Sequence, residues 1–387
     1  MTIKRAIPPR LSVYLDLIRF LAAGAVFLDH LTSYPFSKTT KGPREGAELV
    51  GSYGTAAVVI FFVLSGFVIA HVAYTRENTG RAFAISRLSR LYSVVLPALV
   101  LTFAFDTTGH WLNPGFYAVQ KVFWTSPSIQ GYWSSLIFIN EFSIFHFNEV
   151  VPGSNAPFWS LSFEATYYLV IGLILFAPRR IAALAGLVIF VLAGRTILAM
   201  APLWGLGFLL YRFRLSVLPH VRAPLLILGL STLLLAVLPF LLAGVHWTNF
   251  GVKFPWGRGP FDRNLLADYA VAAVFVLHLL AAERLLGGDR PFVRGERLVR
   301  YLGLATFPMY AIHYPVLCFF AAISPWTRGS AFSVAFVILG VALVCCAMVP
   351  VCEWLKRVLR HQLDRIGPQK PQRVRPPGES GELVTGR

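Results

Sequence analysis

The sequence predicts an all-α fold, a polytopic transmembrane helical bundle of about ten spans, built as a single membrane domain over residues 1–366. Three observations predict it. Of 387 residues, 56% are hydrophobic and only 14% charged, against about 25% charge in ordinary globular domains. The mean hydropathy is +0.63. Apolar runs of roughly 18 or more residues recur along the whole chain, each long enough to cross a bilayer. So little charge cannot cover a soluble surface, and the pattern excludes a disordered chain, a secreted disulfide scaffold and a coiled coil.

The first span falls at 12–33. Lys4, Arg5 and Arg10 precede it as they would a signal peptide, but Arg19 interrupts the apolar stretch and no convincing cleavage site follows, so a retained span is expected. Further spans fall at 51–74, 84–106, 158–177, 181–194, 201–213, 224–245, 266–286, 298–322 and 330–355. The fifth and sixth are short for a full crossing and are expected as a tight or re-entrant pair, which leaves the later topology unchanged. Between the third and fourth spans, 107–156 carries Trp111, Trp124, Tyr132 and Trp133 and a short apolar piece at 135–139. It is read as an outer-face segment with interfacial aromatics that dips into the protein. After Ile366 the chain is rich in Pro, Gly and charge, and 367–387 is expected to be a disordered basic cytoplasmic tail.

The formal charge is +17. The basic residues sit between apolar runs, so they read as topology signals and lipid-headgroup contacts rather than a nucleic-acid surface. An inside N-terminus places most of the Lys and Arg on the cytosolic side, with both termini cytoplasmic. Cys318, Cys345, Cys346 and Cys352 lie in late apolar segments; their spacing suits neither a metal site nor an extracellular disulfide framework, and a packing role is expected.

Ionisable groups within a bilayer cost about 2.5–3.5 kcal/mol each on insertion scales, so each calls for a partner or a task. The first span carries Arg19, Asp29 and His30. Arg19 and His30 are about 16 Å apart along a helix and close to three turns, hence on nearly the same face. Histidine suits proton transfer near neutral pH; the plainer reading is an interfacial imidazole ending the span. The fourth span opens Trp159-Ser160-Leu161-Ser162-Phe163-Glu164, which puts Glu164 about two turns below the outer surface and at the depth of His30. A carboxylate there can orient an imidazole; the plainer reading is a neutral carboxyl bonded to a neighbouring helix. In the ninth span, Tyr310 and His313 share a face between Pro308 and Pro315, and each proline frees a carbonyl that only protein or a wet cavity can accommodate. On the cytosolic side, Arg87 and Arg90 lie three apart, and guanidinium forks match phosphate oxygens; an inner-leaflet anchor is the alternative. Ser65-Gly66, in Phe61-Phe62-Val63-Leu64-Ser65-Gly66-Phe67, suits close helix packing.

Together these segments resemble the acyltransferase 3 family of integral membrane O-acyltransferases. Leu15 to Ala23 ending in His30 is similar to the family's first-span motif, and Phe61–Phe67, Arg87-x-x-Arg90, Trp159-Ser160-Leu161-Ser162-x-Glu164 and Tyr310-x-x-His313-x-Pro315 follow in family order. Two departures stand out: Leu17-Ile18 lacks a glycine often found before the Arg, and Ala165 stands where a second acidic residue is common. The resemblance implies transfer of an acyl group, acetyl above all, from cytosolic acyl-CoA (acetyl-CoA) as co-substrate, with no permanently bound cofactor and no metal. It implies a glycan or glycolipid acceptor, or alternatively a macrolide or other small hydroxylated metabolite, and a bacterial cytoplasmic (inner) membrane. Its site residues would be His30 and Glu164 for catalysis, Arg19, Arg87 and Arg90 for the co-substrate, and Tyr310 and His313 for the acceptor. A membrane transporter for a sugar or glycolipid is the rival of another class, disfavoured by the absence of repeat symmetry.

Overall fold

The computed structural model describes residues 6–33, 44–119, 129–142, 150–243, 265–288 and 295–366. The described residues form helices and connecting turns without strands. In order they are α1 (Pro9–Ser33), α2 (Arg44–Thr75), α3 (Gly80–Leu112), α4 (Pro114–Val119), α5 (Ile129–Leu136), α6 (Trp159–Phe176), α7 (Arg179–Ala193), α8 (Arg195–Val217), α9 (Pro224–Ala243), α10 (Leu265–Leu286), α11 (Glu296–Ile323) and α12 (Ala331–Arg365). Nine of these are long and apolar enough to cross a membrane. The expected ten differ by one, α7, which at 15 residues rises only about 22 Å.

Why α7 falls short is local. Gly194 adopts φ +88 and separates α7 from α8, a conformation that a side chain resists. The following helix starts against α6: Tyr167 donates to the Ile197 carbonyl at 2.7 Å. It then runs 23 residues, longer than the sequence predicted, down to a buried ion pair between Arg214 and Glu283 of α10 at 2.8 Å. The expected re-entrant pair is thus a short rising leg followed by a full-length descending one.

Helices α2 and α11 form the centre, with 67% and 72% of their apolar windows buried, whereas α9 has 11%. The outer surface of the bundle is correspondingly greasy: Leu225, Leu339 and Leu343 are each at least 70% exposed, as suits contact with lipid. The Ser65-Gly66 pair does what its composition predicts. A Cβ at Gly66 would lie 2.0 Å from the Trp204 carbonyl oxygen, and one at Gly207 would lie 1.9 Å from that of Val63. Only hydrogens at both crossing points let α2 and α8 approach this closely.

One end of the bundle gathers the first turns of α1, α3 and α11 with the last turns of α2, α10 and α12. Arg300 at the start of α11 donates to Asp16 at 2.9 Å and to Ser12 at 2.8 Å. Arg81 caps α12 by donating to the carbonyls of Leu363, Asp364 and Ile366, satisfying acceptors that a helix C-terminus leaves open. The α12 helix runs 35 residues, about 52 Å, and projects beyond a bilayer core at this end.

At the opposite end α3 continues to Leu112, six residues past its expected limit, and α4 and α5 follow, both too short to cross. The chain then dips inward as expected: Pro152, Gly153, Ser154 and Asn155 are buried before a 3-10 turn at Ala156–Phe158 leads into α6. Cys318, Cys345 and Cys352 are buried free thiols, in line with packing, whereas Cys346 is exposed. Trp124 and the tail 367–387 lie outside the described residues.

Candidate functional site

Two adjoining features make the site: a histidine pair towards the α4–α5 end, and a basic cavity opening at the other. The pair is formed across α1 and α11, where His30 Nδ1 lies 2.8 Å from His313 Nε2 with the rings nearly parallel. Tautomers follow from the partners. His313 Nδ1 contacts the carbonyl oxygens of Met309 and Tyr310 at 2.9 and 3.0 Å, and a carbonyl only accepts, so Nδ1 carries the hydrogen. With His313 neutral, its Nε2 is then the acceptor for the His30 Nδ1–H. That leaves the lone pair of His30 on Nε2, the one basic position of the pair without a protein partner among the described residues. Tyr314 packs edge-on against His30 with ring centroids 5.0 Å apart, and His313 is 1% exposed.

This corrects the expected pairing of His30 with Glu164. The face of α6 bearing Glu164 turns to the cavity, which neither histidine lines. There Glu164 Oε1 accepts from Tyr168 and, at 3.2 Å, from Ser65, whose oxygen in turn accepts from Trp204 Nε1 at 3.1 Å. His313, expected as an acceptor contact, is the group that orients His30.

The cavity has a volume of about 410 Å³. It follows α2 from Val58 to Arg76, about 27 Å of helix rise. Its deep end is closed by Val58, Phe61, Ser160 and Tyr310, and its mouth by Arg76, Arg87, Lys356 and Arg360. Arg19, Arg90 and Glu164 line the middle. Tyr310 links the two features: it lines the cavity, packs edge-on to Phe61 with centroids 5.7 Å apart, and lies 6.4 Å from the His313 ring. Neither histidine lines the cavity itself. A second cavity of about 330 Å³ shares Arg19, Arg90, Gly303, Phe307 and Lys356 with the first.

The three arginines are not equivalent. Arg87 is buried and bonded to Glu77 at 2.6 Å, with Phe83 and Tyr168 against its guanidinium face. Arg90 has no carboxylate partner among the described residues, and its guanidinium stacks on Phe307. Arg19 meets Asp16 only at 3.7 Å, and that carboxylate is already engaged by Arg300 at 2.9 Å. Two incompletely neutralised guanidinium groups therefore share the cavity wall, a surface suited to oxygen anions such as phosphate. Among the described residues no cluster of metal-ligating side chains is present.

The sequence reading missed a buried network above the pair. Asp106 of α3 is fully buried and accepts from the backbone N–H and the hydroxyl of Ser154, both at 2.7 Å. Its signal was present: a carboxylate at the end of an apolar run demands partners. Burial, with Asp106 nearby, raises the phenols of Tyr117 and Tyr132, so both remain protonated.

Comparison with curated proteins and with solved structures gave no match. A family model does match: acyltransferase 3, described as an acyltransferase domain, over residues 12–353. The matched stretch spans His30, His313, Arg19, Arg87 and Arg90, and the chain belongs to the acyltransferase 3 family, membrane acyltransferases.

Proposed function

We propose that the protein transfers an acyl group, acetyl above all, from acyl-CoA to a hydroxyl of a cell-surface or exported glycan or glycolipid. The observation that carries this reading is the oriented base: His30 presents Nε2 unprotonated because His313 holds its other nitrogen at 2.8 Å. Acyl-CoA enters at the basic mouth, and its phosphates meet Arg90 and Arg19, with Arg87 held ready by Glu77. The acyl thioester reaches the deep end at Phe61 and Tyr310. The acceptor approaches from the opposite face of the bundle. His30 Nε2 removes the proton of the acceptor hydroxyl while that oxygen attacks the thioester carbonyl. The carbon–sulfur bond breaks, the sulfur leaves as the CoA thiolate, and the proton that His30 took from the hydroxyl is given up to that thiolate, so CoA departs as the thiol and His30 returns to its neutral form.

As His30 becomes an imidazolium, its Nδ1–H bond to His313 gains charge assistance, which favours the charged transition state over the neutral ground state. Glu164 then serves the cavity, balancing Arg19 and fixing Tyr168 and Ser65. The ends of α1 and α12 share the arginine-rich end of the bundle. That supports a cytosolic mouth and cytoplasmic termini in a bacterial inner membrane, by the excess of basic charge on the inner side. The resemblance of the five sequence motifs to membrane O-acyltransferases supports a glycan acceptor. Mass spectrometry of surface glycans from cells with and without the gene tests it: an acyl mass difference that returns on complementation supports the reading, and identical glycans overturn the acceptor class.

A further inference from the structure

We propose that Asn155 is a positioning residue for the histidine pair, acting through the backbone carbonyl that Pro315 leaves without its helical donor. In α11 the Ala311 carbonyl would accept from the N–H of residue 315, but proline has none. This turn is deeply buried, with Ala311 and Ile312 at 0% and His313 at 1% exposure, so water does not supply the missing donor. Asn155 does: its Nδ2 lies 2.8 Å from the Ala311 oxygen. The same amide nitrogen donates to Thr102 Oγ1 at 3.0 Å, and that hydroxyl spends its own hydrogen on the Ala98 carbonyl at 2.7 Å. Both neighbours are therefore acceptors, which fixes the amide orientation without ambiguity.

The segment bearing Asn155 is itself anchored. Asp106 grips Ser154 through its N–H and its hydroxyl, and Gly153 turns the chain at φ +54, where a Cβ would lie 2.2 Å from Asp106 Oδ2. A chain of contacts thus runs from α3 through Ser154 and Asn155 to a carbonyl two residues before His313. Without the Asn155 donor, the buried Ala311 carbonyl must turn towards another partner, rotating the turn that holds His313 against His30. Misplacing a catalytic group by about 1 Å can cost on the order of 10²-fold in rate.

This inference rests on the catalytic reading above, and the test separates the two. The full chain is reconstituted in vesicles with acetyl-CoA, and kcat and KM are measured for the wild type, Asn155→Asp, Asn155→Ala and His30→Ala. Asn155→Asp keeps the shape but sets a carboxylate against two acceptors. It should lower kcat roughly ten- to a hundredfold while KM for acetyl-CoA changes by less than about twofold, because the cavity arginines are untouched. If Asn155→Asp does not insert as a monodisperse protein, Asn155→Ala carries the same comparison. Pro315→Ala restores an N–H for Ala311, so Asn155→Ala should cost much less in that background than beside Pro315. A wild-type kcat, a loss confined to KM, or an equal cost in both backgrounds would overturn the positioning role. An inactive His30→Ala beside a fully active Asn155→Asp overturns this inference alone; an active His30→Ala overturns the catalytic reading itself.

Discussion

Replacing His313 by alanine removes the acceptor for the His30 Nδ1–H, now bonded at 2.8 Å. The site is nearly closed to water, since His313 is 1% exposed. A buried donor left unsatisfied costs about 1–3 kcal/mol, and each 1.36 kcal/mol in the barrier corresponds to about tenfold in rate. If that cost falls on the transition state, where the imidazolium needs the bond most, transfer slows about fivefold to somewhat over a hundredfold. His313→Gln offers an amide oxygen near the Nε2 position and should recover part of the loss. The assay is transfer of labelled acetyl from acetyl-CoA to an acceptor by reconstituted protein, at saturating acetyl-CoA, with binding of CoA measured separately. CoA affinity should be unchanged, because neither histidine lines the cavity. A His313→Ala rate within about twofold of wild type would refute the orienting role, since unsatisfied burial predicts at least about fivefold.

Other outcomes test the remaining parts. Arg90→Ala removes a guanidinium that has no carboxylate partner among the described residues and should weaken CoA binding about ten- to a hundredfold, from about 1.5–3 kcal/mol per charged hydrogen bond. Calorimetric titration with CoA checks it, and unaltered affinity would count against a phosphate role. Gly66→Leu drives a side chain into the Trp204 carbonyl and should abolish a monodisperse elution peak in detergent, whereas the wild-type peak under the same conditions would contradict the close crossing. Arg214→Ala strands Glu283, at 6% exposure, without its 2.8 Å partner; a loss of about 3–5 kcal/mol is expected, seen as a large drop in thermal midpoint.

Much of this architecture is legible in the sequence because a bilayer imposes one length and one polarity on every crossing. The boundaries of α1, α6, α10 and α11 fall within a few residues of the apolar runs. Where α3 and α12 overshoot, the extra turns lie beyond the hydrocarbon core, and hydropathy does not mark them. The pair α7 and α8 was legible as abnormal, but Gly194 and its positive φ decide where one ends and the other begins.

The pairing within the candidate site was not legible in the sequence. Spacing along a helix gives an approximate depth for each side chain, and His30 and His313 do meet. It does not say which helix each face meets, and α11 rather than α6 supplies the partner of His30. The brace at Asn155 was written in Pro315, since a proline inside a buried helix announces a carbonyl in search of a donor. Only the tertiary structure names the donor, 156 residues away along the chain. The inequality of the arginines was hidden for the same reason: Glu77 reaches Arg87 across the turn between α2 and α3, and among the described residues no carboxylate reaches Arg90.

The most direct measurement loads vesicles with labelled acetyl-CoA on the side of the basic mouth and supplies a hydroxylated glycan acceptor on the other. With His30→Ala, label on the acceptor should fall by at least about a hundredfold, as loss of general base catalysis predicts, while CoA binding holds at its wild-type value. Label transfer close to the wild-type rate in that variant would contradict the claim that the imidazole held by His313 removes the acceptor proton.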